Sequence, residues 1–165
     1  MPVSHFGFAA PMKYEALEKG MVIIAQPRAS EAYLGVVSRW GDEMVIVVLA
    51  GTQGSVPDLI RLPSMQSHLW SVPGHLEIEP SGNEFVVGKT DIPHNGIVIT
   101  SDGKAIVTLL KPDHWGERTR LFIDLDTGEH VSATMPMAHI EEFNVFIRQE
   151  GRKDRFAWPA LTTDQ

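Results

Sequence analysis

Cysteine is absent from this 165-residue chain, and that one absence removes disulfides, thiol nucleophiles, thiolate zinc sites and iron–sulfur clusters. An excess of positive charge is lacking too. Fourteen Lys and Arg stand against 21 Asp and Glu, a formal net charge of −7, which disfavours nucleic acid as a partner unless the cations gather on one face. No apolar run approaches the roughly 18 residues a membrane-spanning helix needs, and the opening MPVSHFGFAAPMKYEALEKG lacks the basic stretch and apolar core of a secretory leader. The expectation is a cytoplasmic protein with no membrane partner.

Sufficient apolar material remains for a core: 43% of residues are hydrophobic, 21% are charged, and 14 glycines and 11 prolines punctuate the chain. A chain of this size buries about two-thirds of its unfolded surface. From Met21 onward, short β-branched and aliphatic runs alternate with Gly, Pro, Asp and Asn, the pattern of strands and tight turns. Strands are expected at 21–25, 35–38, 44–50, 85–87, 96–100, 105–110, 120–124 and 130–133. Hairpin turns are expected at Trp40-Gly41-Asp42, Ser101-Asp102-Gly103-Lys104 and Asp126-Thr127-Gly128, where Gly or Asp takes the required positive φ.

Helix signals are few. Pro11–Lys19 offers an N-terminal proline, Glu15 and Lys19 four apart, and Gly20 as a stop. Met137–Glu150, entered at Pro136, carries Ile140, Phe143 and Ile147 at helical spacing, although Phe143, Val145 and Ile147 also alternate as in a strand. The helical reading is the preferred one.

The segment GVVSRWGDEMVIVVL, from Gly35, aligns without a gap on GIVITSDGKAIVTLL, from Gly96, an offset of 61 residues. Such an echo suggests two copies of a small β unit packing on one another. The fold class read from the sequence is therefore mainly β: antiparallel small-barrel units, with an internal duplication as an open option and one or two short helices. An N-terminal arm with a short helix spans 1–20, a first β unit 21–80, a second β unit 81–150 and a tail 151–165. Between the units, residues 57–80 read as an irregular excursion carrying HLWSVPGH.

Two constellations carry chemistry. In HLEIE, His75, Glu77 and Glu79 leave one face of a strand, and with His68 they form a candidate divalent-metal site, against the plainer reading of a solvated strand face. In PDHWGERTRL, His114, Trp115, Arg118 and Arg120 form a candidate recognition tip, with Trp70 of the excursion as a second exposed aromatic. A third group, Arg148, Arg152, Lys153 and Arg155 among Phe146, Phe156 and Trp158, reads as a solvated, partly salt-bridged surface.

The stretch EKGMVIIAQ, followed by GVVS and MVIVVLAGT, resembles the opening of the ribosome-independent mRNA interferase toxins. The resemblance covers about 35 residues and departs at Tyr33-Leu34, where those toxins carry Arg-Pro. It implies an SH3-like barrel acting on RNA, with Arg28, Arg39 and Thr52 as the available site residues.

The reading favoured over both the metal-dependent enzyme and the RNA-acting barrel is a non-enzymatic binding or protein-interaction module. Its expected partner is a protein or small molecule, its cofactor is unknown, and exposed strand edges make a homodimer plausible.

Overall fold

The computed structural model describes residues 9–52, 54, 56–62, 68–81, 86–87, 95–112, 118–132, 138–140 and 142–158. Among the described residues fourteen strands follow one another: β1 (Ala10–Met12), β2 (Val22–Arg28), β3 (Glu31–Trp40), β4 (Glu43–Gly51), β5 (Asp58–Arg61), β6 (His68–Ser71), β7 (His75–Pro80), β8 (Val86–Val87), β9 (Gly96–Ile99), β10 (Ala105–Pro112), β11 (Arg118–Asp124), β12 (Ala138–Ile140), β13 (Phe143–Gln149) and β14 (Arg152–Arg155). They form a six-stranded sheet in the order β1-β6-β2-β3-β4-β5, a five-stranded sheet β11-β10-β9-β12-β8 and a three-stranded sheet β14-β13-β7. Every strand pairing is antiparallel.

The unbroken apolar runs of β2, β3 and β4 are explained by burial on both faces of the six-stranded sheet. On one face Ile24, Leu34, Val36, Val45 and Val47 share a core with Ile97, Val107, Leu109 and Ile123 of the five-stranded sheet and with Val145 and Ile147 of the three-stranded one. On the other, Ile23, Val37, Ile46 and Val48 pack with Leu17 and Leu69, and with the partly buried Met12, Tyr14 and Met21. A small cluster of Val98, Ile106 and Phe122, flanked by Val131, covers the outer face of the five-stranded sheet.

One turn fastens two sheets together. The Gly20 amide donates to the Val37 carbonyl at 2.9 Å, and the buried Ser38 hydroxyl donates to the Gly128 carbonyl at 2.5 Å. This holds the 126–128 turn, which follows β11, against β3. Gly128 has φ 69, and a Cβ there would run into the Val37 carbonyl oxygen and lie 2.7 Å from the Gly20 nitrogen. Only glycine satisfies both demands.

Several expectations are corrected. The segment 137–150 is not a helix but contains β12 and β13, because pairing with β9 and β7 satisfies its backbone and the two-residue alternation buries Val145 and Ile147. The helix expected over 11–19 shrinks to one 3-10 turn, Tyr14–Ala16, because residues 10–12 are drawn into the sheet beside β6. The excursion 57–80 contains the three strands β5, β6 and β7. Among the described residues of the expected strand 130–133, the pairing is a single bridge between Ile123 and His130, and residue 133 lies outside them.

Small barrels are not found. Among the described residues the three sheets have open ends, at β1 and β5, at β11 and β8, and at β14 and β7. The 61-residue echo does bring out two comparable hairpins, β3–β4 and β9–β10, but their turns differ. Trp40 pairs with Glu43 across two residues, whereas the Thr100 amide bonds the Lys104 carbonyl across three, with Gly103 at φ 82. That one-residue difference reverses the faces of the second strand. Val36 and Ile97 both enter the shared core, yet Val45 lies in it while its aligned partner Ile106 lies on the outer face. The gapless alignment is thus not a structural correspondence beyond the turn.

Candidate functional site

Most of the two charged motifs singled out in the sequence comes together on one sheet face, where His75, Glu77 and Glu79 meet Arg148, Lys153 and Arg155, while Arg152 falls on the other. β13 lies between β7 and β14, with Arg148 opposite His75 on one side and Lys153 on the other, and Phe146 opposite Glu77 and Arg155. Alternation places Leu76 and Ile78 against the core and His75, Glu77 and Glu79 outward. Arg148 grips Glu77 with two bonds, Nε to Oε1 at 2.5 Å and Nη2 to Oε2 at 3.3 Å. Lys153 Nζ lies 3.4 Å from Glu77 Oε2, bonds Glu79 and sits 4.7 Å from the centre of the Phe146 ring. Arg155 donates to Asn144 Oδ1 at 2.8 Å.

This network fixes protonation states. The bidentate Arg148 guanidinium holds the Glu77 carboxyl below its ordinary value of 4.5. The bond to Glu79, with that to Glu77, raises the Lys153 ammonium above its usual range, and Glu77 raises Arg148. Elsewhere, burial pushes the Tyr33 phenol up to about 12, with its bond to Glu31 adding to the effect. Every one of these shifts moves the group further from titration near neutral pH.

The other face of the β13–β14 hairpin borders an open cleft of about 230 Å³, lined by Ile147, Gln149, Arg152, Asp154, Arg155, Phe156 and Ala157. Ile147 and Phe156 give it an apolar floor joined to the core. Arg152 pairs with Asp154 at 3.2 Å on its rim, and Gln149 Nε2 is held by the Pro73 carbonyl at 2.6 Å. The hairpin turns through Glu150 and Gly151, both at positive φ, 27 and 80. A glutamate in that region is strained, where Asn or Gly is the usual occupant.

The remaining nominated residues are scattered. Trp70 is only 3% exposed and belongs to the shared core, so it is not a surface aromatic. His68 is exposed at the start of β6 in the six-stranded sheet, away from the β7 strand that carries His75, Glu77 and Glu79. Among the described residues no group of three His, Asp or Glu side chains is placed to share a metal ion. Arg120 Nη1 donates to the buried Thr108 hydroxyl at 2.9 Å across β10 and β11, and Arg118 opens β11. His114 and Trp115 lie outside the described residues.

The toxin-like trio does not converge either. Arg28 and Thr52 lie at the Glu31 end of β3 and Arg39 at the other, separated by about 25 Å of extended strand. Thr52 Oγ1 accepts the Ala32 amide at 3.0 Å, a local capping role.

What the sequence concealed was the cleft and the meeting of the two charged motifs. The alternation of HLEIE and of FNVFIRQ was the visible signal, but no local pattern says that strands some 70 residues apart are neighbours. Comparison with family models, with curated proteins and with solved structures finds no match.

Proposed function

We propose that the protein is a non-enzymatic binding module whose recognition surface is the β13–β14 hairpin and its cleft. The observation that supports this is the cleft itself: an apolar floor of Ile147 and Phe156 under a polar rim of Arg152, Asp154 and Gln149. An apolar concavity with a few convergent polar groups is the common form of a ligand site. The charge state of the hairpin agrees with binding. A general acid or base works best when it titrates near the working pH, whereas Glu77 is held ionised and Lys153 held protonated. These are fixed charges, suited to recognition.

Anilinonaphthalene sulfonate, an aromatic anion, serves as a probe in a fluorescence titration of the whole chain. One saturable site is expected, abolished in Ala157→Trp, which fills the exposed rim, with the melting temperature unchanged. Absence of a saturable site, or one indifferent to Ala157→Trp, contradicts the reading.

A further inference from the structure

The outer edge of β14 is an unpaired strand edge among the described residues. Its hydrogen-bonding parity follows from one bond: the Phe156 amide donates to the Val145 carbonyl at 2.8 Å. In an antiparallel pair bonded positions alternate, so Arg152, Asp154 and Phe156 face β13 with their amides and carbonyls. Lys153 and Arg155 therefore turn theirs outward. All four residues of β14 are exposed.

The side chains on the two faces of that edge differ. Residues of an added strand that stand beside Lys153 and Arg155 meet cations; the residues between them reach the cleft over Ile147 and Phe156. Lys153 is already matched by Glu77 and Glu79, while Arg155 is bonded to the neutral Asn144 amide oxygen. A second copy of β14 makes a poor partner, since each antiparallel register that brings the outward positions together, 153 on 153, 153 on 155 or 155 on 155, sets one cation against another.

The geometry points to β-strand addition at β14 by an extended protein segment alternating acidic and apolar residues, with an acidic one beside Arg155 and an apolar one in the cleft. This rests on the binding reading above and names the class of partner. It also gives the basic edge a purpose, rejecting the chain's own copy while accepting an anionic strand.

The test is a titration of the ¹⁵N-labelled full chain with the peptide acetyl-Glu-Val-Glu-Val-Glu-amide at low salt, followed by amide shifts. Shifts confined to residues 147–157 are expected, with no binding of the Lys-Val-Lys-Val-Lys counterpart and about a fivefold loss in Arg155→Gln. Lys153→Pro removes an outward amide but no bond to β13, so it is expected to bind at least tenfold more weakly than Lys153→Ala. Methylating alternate peptide amides gives the same information without altering the protein: one set abolishes binding and the other spares it. Equal binding of the lysine peptide, equal affinity of the 153 variants, or the same effect from both methylation sets overturns the inference. If the peptide fails while the fluorescent anion still saturates the cleft, strand addition falls and the binding module stands; if both fail, both fall.

Discussion

At the scale of single residues, glycine placement separates conformational cost from steric cost. Gly103 and Gly128 both have positive φ, 82 and 69, but a Cβ at Gly103 would meet nothing within 4 Å, whereas one at Gly128 would strike the Val37 carbonyl. Gly103→Ala should lose about 1 kcal/mol, the cost of the left-handed region for an L residue. Gly128→Ala should lose more than about 2 kcal/mol, because the joint between the 126–128 turn and β3 must also open. Denaturant unfolding of the two variants checks this, and equal losses would refute the joint. Both glycines were visible in the sequence as turn residues. That Gly128 also touches a strand some 90 residues earlier was not, since close approach leaves no mark on local pattern. Trp70 gives the converse lesson: a tryptophan in a proline-rich stretch reads as a loop aromatic, while pairing with Ile24 and Pro11 carries it into the core.

At the scale of elements, alternation decided what helical spacing could not. Phe143 to Gln149 fits both periods, and the strand prevails because β7 and β14 supply bonds to its two edges. The same pairing turns two separate sequence motifs into one ion network, whose dependence on pH has a definite sign. Glu77 titrates lower in the fold than in the unfolded chain, so its contribution is present above the ordinary carboxyl value of 4.5 and is lost as pH falls through the lowered native value. Glu77→Gln should therefore lower the melting temperature at pH 7 by a few degrees, and the gap to the parent should narrow and close as the pH falls below 4.5. Melting curves across that range decide it; a gap that persists in acid would show that Glu77 acts through packing and not through charge.

At the scale of the whole molecule, the mainly β character and many strand positions were legible, because continuous apolar runs and turn residues are local signals. Sheet order was not, because it is set by which distant edges share a core: the three-stranded sheet draws on residues 75–80, 143–149 and 152–155. That arrangement leaves β14 outermost among the described strands of its sheet, beside the cleft. The most direct measurement is amide hydrogen exchange on the intact chain, resolved by NMR. Slow exchange is predicted through β2, β3 and β4, buried on both faces, and an alternation along β14, with Lys153 and Arg155 exchanging freely and Asp154 and Phe156 protected. Protection at all four positions would mean that the edge is already covered, and free exchange at all four that β14 is not a strand; either result would contradict the account.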